Sequence, residues 1–279
     1  MTDPKNPALP VPPLPRGSQS RAWWRAPASP TALAWSIASA ARAHEGPLLV
    51  VARDNHEAHQ LEADLHTLLG TAGDLPVVAF PDWETLPYDQ FSPHPDIVSQ
   101  RLSALHRLPT LEKGIVVVPV QTLMQRLSPL KHIAGGSFDY RMGQRLDFDA
   151  EKRRLEAASY RHVPQVLDPG DFAVRGGLLD VYPMGADAPL RIELLDDTID
   201  SLRHFDPESQ RSLDRVESVQ LLPGREVPLD ERSVERAMTL LRDRFDVDTR
   251  RSALYQDLKS GLAPAGVAAT KRTLSAGLS

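Results

Sequence analysis

The chain has 279 residues, 41% hydrophobic and 25% charged, an ordinary globular balance for one large domain or two to three small ones. Its 32 basic and 37 acidic residues give a net charge of −5, so there is no overall attraction to nucleic-acid phosphates, although a local basic patch remains open. Cysteine is absent, which removes disulfides and thiolate metal sites, and no apolar run approaches the roughly 18 to 20 residues of a membrane span, so a cytoplasmic protein is expected.

Residues 1–22 carry six prolines in the first fifteen positions, lack the apolar stretch of a signal peptide, and read as a disordered leader. Ser29-Pro30 then offers an N-cap with proline at the first helical position, and Leu33, Ile37, Ala40 and Ala41 share a face, which predicts a helix to about Ala43. The apolar run PLLVVA (47–52) predicts a strand. Asp54-x-x-Glu57 follows as a capping-box pattern, opening a helix with Ala58, Leu61, Leu65 and Leu68 on one side and Gly70 at its end. Pro76 to Phe80 and Gly114 to Pro119 repeat the strand signal, with helices over about 96–107 and 121–126. Strands without alternation, interleaved with helices, predict a parallel sheet covered on both faces.

The pattern changes after Ser128, and Gly135-Gly136 reads as a linker into a different domain. Asp149 is expected to cap a short helix over 150–159. Antiparallel strands follow over 172–182, 190–195 and 199–205, the last two joined by a turn at Asp196-Asp197-Thr198, with one more strand over 215–222. Asp230 caps a helix with Val234, Ala237, Met238, Leu241 and Phe245 inward, and a further helix covers about 250–260. Residues 263–279 have few large apolar side chains and read as a disordered tail.

Motifs for chemistry are sparse. A sheet of this type usually places a phosphate loop before its first helix, yet 24–31 (WRAPASPT) has neither glycine nor lysine, so neither a nest of N–H groups nor an ammonium is offered to a nucleotide. Ile192 to Asp197 imitates a magnesium-binding strand end, but Asp-Asp-Thr between strands is well explained as a turn. His56 and His59 share a helical face without an evident third metal ligand. PDWETLPYD (81–89) is aromatic and acidic, and its acids disfavour stacking on nucleic acid, so it reads as a packed loop at the carboxyl end of a strand. Accordingly, neither a catalytic residue, nor a cofactor, nor a metal site is expected.

The stretch YRHVPQVLDPGDFAVRGGLLDVYP (160–183) goes beyond fold-building. Arg161 follows a helix, Arg175 lies in a strand, and the turn at Asp168-Pro169-Gly170-Asp171 folds the segment back between them. Gly176-Gly177 reads as a bulge or as the close approach of another backbone, and a bulge is needed if Arg175 and Tyr182 are to reach one face of a continuous strand. Forked guanidinium groups near an aromatic suit a protein-recognition surface; solvated strand-edge charges are the alternative.

This stretch, with FPDWETLPYDQFSPHPDIVSQRL (80–102) and GIVVVPVQTLMQRLSP (114–129), resembles the UvrB-homology module at the N-terminus of bacterial transcription-repair coupling factors, over most of 45–225. The resemblance implies a degenerate helicase-like α/β parallel-sheet domain (23–131), a smaller α+β domain that binds the excision-repair protein UvrA (138–213), and part of a further helicase-like segment (214–262). It carries the UvrA-binding role onto Arg161, Arg175 and Tyr182. The implied function is a non-catalytic adaptor that recruits UvrA in nucleotide excision repair, with contacts to RNA polymerase and DNA made only by the remainder of the longer family plan, of which this chain is a truncated version. A UvrB-like ATP-dependent DNA-binding enzyme and a non-functional truncated gene product are the alternatives.

Overall fold

The computed structural model describes residues 12, 14, 21–27, 29–70, 75–85, 92–244 and 253–259. The expected leader, apart from residues 12, 14, 21 and 22, and the expected tail lie outside the described residues. The described residues pack as two units, one taking those up to Asp82 with Arg107–Met124, the other Trp83–His106 with those from Gln125 onward. Among the described residues no helix is long and apolar enough to cross a membrane.

In chain order the first half holds α1 (Pro30–Ala43), β1 (Pro47–Ala52), α2 (Asn55–Leu69), β2 (Val77–Ala79), α3 (Pro95–Arg107), β3 (Gly114–Pro119) and α4 (Val120–Leu123). Proline at the start of α1 costs nothing because the N–H it lacks has no helical partner there. At α2 the Asp54 carboxylate accepts from the Glu57 N–H at 2.9 Å, while Glu57 accepts from the Arg53 N–H at 2.6 Å, so two orphan donors are satisfied. The strands form a parallel sheet in the order β1-β3-β2, registered from Pro47↔Gly114 to Ala52↔Pro119. Helices α1 and α2 bury Ala34, Ala41, Leu61 and Leu65 against Ile115 and Val117 on one face. Central β3 is buried at every residue, as its unbroken apolar run requires. The edge strand β1 departs from the expected two-sided cover: Leu49 and Val51, on the face away from α1 and α2, are 55% and 49% exposed. An edge strand has a neighbour on one side only, so a continuous apolar run there does not imply burial on both faces.

Besides α3 up to His106, the second unit contains α5 (Leu130–Gly135), β4 (Phe138–Arg141), α6 (Phe148–Ala157), β5 (Arg161–His162), β6 (Asp171–Arg175), β7 (Leu178–Val181), β8 (Leu190–Leu195), β9 (Thr198–Phe205), β10 (Ser212–Arg215), β11 (Ser218–Leu221), α7 (Glu231–Arg244) and α8 (Ala253–Lys259). Six strands run in the order β10-β9-β8-β7-β6-β5, antiparallel apart from the short parallel β5–β6 pair, and β11 pairs antiparallel with β4 in a separate ribbon. Phe172, Leu179, Val181, Leu190, Ile192 and Leu202 share one face of the large sheet and are fully buried or nearly so. The fold is therefore a mixed one, a parallel-sheet unit joined to a largely antiparallel domain.

Four local expectations are corrected. The strand over 172–182 is a hairpin, because Gly176 (φ +57°) and Gly177 form a two-residue turn that leaves Arg175 opposite Leu178. The strand over 215–222 is split: Arg215 ends β10 in the large sheet, and β11 leaves for β4. Asp147, two residues earlier than expected, caps α6 by accepting from the N–H groups of Asp149 and Ala150. Gly135 and Gly136 do not form an open linker, since one ends α5 and the other caps it.

A buried charge centre joins distant parts of this unit. The Glu226 carboxylate accepts from the Trp83 indole N–H at 2.8 Å and from the Arg101 guanidinium at 3.0 and 3.2 Å, and Arg101 is fully buried with its guanidinium 4.5 Å from the Trp83 ring centre. The Ser128 hydroxyl donates to the Glu226 backbone carbonyl. Trp83 is thus a packed residue held by a carboxylate, and the part of its loop over 86–91 lies outside the described residues.

Candidate docking surface

Tyr160 anchors the segment that carries the predicted site residues. Its ring is buried, its hydroxyl donates to the Leu222 carbonyl at 2.8 Å and accepts from the Met184 N–H at 3.1 Å, and burial pushes its phenol far above the usual value. One side chain thereby ties the end of α6, the 183–184 turn and the exit of β11. Gly224 lies against this anchor, with its N–H donating to the Ala158 carbonyl, and a Cβ there would stand 2.5 Å from the Ser159 carbonyl oxygen. Ser159 (φ +71°) turns the chain out of α6 and delivers Arg161 to the first residue of β5.

The strand register then fixes which side chains share a face. Arg161 is opposite Asp171, Asp171 is bridged to Tyr182 by the Tyr182 N–H, and Arg175 is opposite Leu178. Facing residues in a sheet project to the same side. Arg161, Asp171, Tyr182 and Arg175 therefore lie on one face, and the hairpin turn achieves this without a bulge. They do not form a single cluster: Arg161 and Tyr182 stand at one end of β6 and Arg175 at the other, four residues or about 13 Å along the strand.

Their environments differ. The half-exposed Arg161 guanidinium donates from Nε to Asp171 Oδ1 at 2.9 Å, brings Nη2 within 2.8 Å of the same oxygen, and reaches Asp168 at 3.4 Å. Asp171 is itself buried, and its other oxygen accepts from the N–H groups of Leu167 and Asp168, so the 168–171 turn wraps its own carboxylate. Arg175 is exposed and makes no side-chain hydrogen bond or ion pair among the described residues. Tyr182 packs against the small cluster of Val166, Ala173 and Phe205, and its hydroxyl donates to the Asp187 carbonyl at 3.3 Å. Burial, then the charges of Asp96, Asp187 and Asp168, raise its phenol above the ordinary value.

Further along the same face, Arg191 grips Asp180 with two parallel bonds of 2.8 and 2.9 Å and lies 4.7 Å over the Phe205 ring. That Asp180 hydrogen bond comes first among the causes that raise the Arg191 guanidinium above its usual value. Sequence reading missed this pair, because the partners meet only through the β7–β8 register. Alternation within β8, with Ile192 buried and Arg191 between apolar residues, was the available signal. The other motifs fall elsewhere: Asp196 (φ +57°) and Asp197 form the β8–β9 turn, and His59 lies 3.8 Å from Glu62 on α2. Among the described residues no group of three or more acidic or histidine side chains is arranged for a metal.

Residues 138–226, which hold this largely antiparallel sheet with its arginines and an aromatic on one face, match the UvrB interaction domain. The chain is homologous, over 85% of its length, to the N-terminal part of transcription-repair-coupling factors. It is 44% identical over 236 residues to that of Escherichia coli strain K12, 38% identical over 229 residues (79% of the chain) to that of Myxococcus xanthus, and 28% identical over 244 residues (87% of the chain) to that of Bacillus subtilis strain 168. The chain spans about one-fifth of the length of these relatives, the matched shares being 20%, 19% and 20%.

Proposed function

We propose that this chain is a non-catalytic adaptor module that recruits UvrA in transcription-coupled nucleotide excision repair. The observation that carries the reading is the placement of Arg161, Arg175 and Tyr182 on one face of the sheet within the UvrB interaction domain, with Arg175 exposed and uncommitted among the described residues. A rigid strand scaffold with arginines and a half-buried aromatic supplies the chemistry of protein interfaces, where these residue types concentrate binding energy. The non-catalytic part rests on WRAPASPT (24–31) ahead of α1, which lacks the glycines and lysine that position phosphates. RNA polymerase and DNA would be engaged by the portions of the longer relatives that this chain does not contain. Binding to purified UvrA, measured together with calorimetry against Mg·ATP and an ATPase assay, tests both halves. Submicromolar UvrA binding without nucleotide binding is expected; micromolar affinity for ATP, or no UvrA complex at all, would overturn the reading.

A further inference from the structure

Beside Arg161, within the second unit, lies an open hollow of about 300 Å³. Its wall is mostly apolar, from Trp83, Val98, Pro169, Met184, Val227 and Leu229, and two cationic side chains, Arg161 and Arg225, stand in it. Arg161 is matched by Asp171 and Asp168. Arg225 is partly buried, yet among the described residues its side chain makes no hydrogen bond or ion pair. The nearest carboxylate in sequence, Glu226, accepts from Trp83 and Arg101.

An unmatched cation beside a second cation in partly desolvated surroundings is costly unless an anion joins them. Burial first, and then the like charge of Arg161, hold the Arg225 guanidinium below its ordinary value. A carboxylate placed between the two forks would accept from both, the strong charge-assisted geometry arginine favours. The volume is at the low end for ligand sites and suits one or two side chains. The apolar wall and the acidic net charge of the chain favour a protein side chain over a nucleic-acid backbone, which needs an extended basic track.

We infer that this hollow receives a segment of UvrA in which an acidic residue adjoins a large apolar one, the acid bridging Arg161 and Arg225 and the apolar side chain filling the space against Val98 and Met184. The inference rests on the docking reading above and adds Arg225 and Val98 as specificity-determining positions outside the strand face. The test is UvrA affinity for the full chain and for Arg161→Ala, Arg225→Ala, Arg225→Lys and Val98→Trp, each with its melting temperature. Arg225→Ala and Val98→Trp are expected to weaken binding at least fivefold, and Arg225→Lys less, with Arg225→Ala melting as the parent does. If Arg161→Ala loses binding while Arg225→Ala keeps it, the hollow is unused and the docking face stands. If Arg161→Ala also binds as the parent, the hollow is unused, and if Arg175→Ala does so too, the docking reading fails with it. Arg225-dependent displacement of UvrA by a short single-stranded oligonucleotide would assign the hollow to nucleic acid and overturn the proposal; the Arg225 variants decide the matter should Val98→Trp not fold.

Discussion

Replacing Arg161 by alanine separates docking from folding less cleanly than its half-exposed position implies, because the guanidinium also serves the buried Asp171. The variant removes a charge-assisted contact, of a kind worth about 1.5–3 kcal/mol when protected from solvent. Arg161 is 53% exposed, so water screens the pair and takes up part of the vacated site, which reduces the expected cost to about 1 kcal/mol. The other Asp171 oxygen keeps the Leu167 and Asp168 N–H groups, so the turn is not left with a bare buried charge. A loss of about 1 kcal/mol corresponds to about 2–4 °C in melting temperature for a domain of this size. Arg175→Ala, at an exposed position, should stay within about 0.5 kcal/mol of the parent. In a UvrA titration followed by interferometry, both variants should bind at least about tenfold more weakly, as arginine truncations at interfaces do. Tyr182→Ala should lower affinity and stability moderately, since its ring also covers Val166, Ala173 and Phe205. Normal UvrA affinity in both arginine variants at temperatures where they are folded would refute the assignment of this face.

Two further outcomes follow from buried groups. Glu226→Gln should destabilise the second unit by about 3–5 kcal/mol in urea denaturation, because it leaves the fully buried Arg101 uncompensated, and an unchanged midpoint would show that the pair is dispensable. Tyr160 is held protonated by burial, so its folded value is raised above the ordinary phenol value near 10, and stability present below about pH 10 should be lost as pH rises past it while the unfolded chain ionises first. Tyr160→Phe should be less stable at neutral pH, having left the Leu222 carbonyl and Met184 N–H without their partner, yet show a flatter decline between pH 10 and 12; an unchanged alkaline slope would place the titration at another group.

The sequence by itself determined the elements whose causes lie within one or two turns of chain. The capping box at Asp54, proline at the start of α1, the apolar runs of β1 and β3 and the Asp196-Asp197 turn act over a few residues, and each element appears where its signal stands. Arg161, Arg175 and Tyr182 were legible as one stretch, and the resemblance supplied the docking role proposed for them. Tertiary structure decided which of them are neighbours. The glycine pair reads as a bulge from sequence alone, and only pairing of Arg175 with Leu178 made it a turn and put Tyr182 at the same end of β6 as Arg161. The division of 215–222 between two sheets followed from β4 offering β11 an edge from far upstream. The Arg101–Glu226 pair, 125 residues apart, and the Asp180–Arg191 fork left no local trace, because a charged residue written among apolar ones looks the same whether its partner is water or a buried carboxylate. What a side chain means is set by the dielectric and the acceptors around it, and those come from chain segments that meet only when the fold closes.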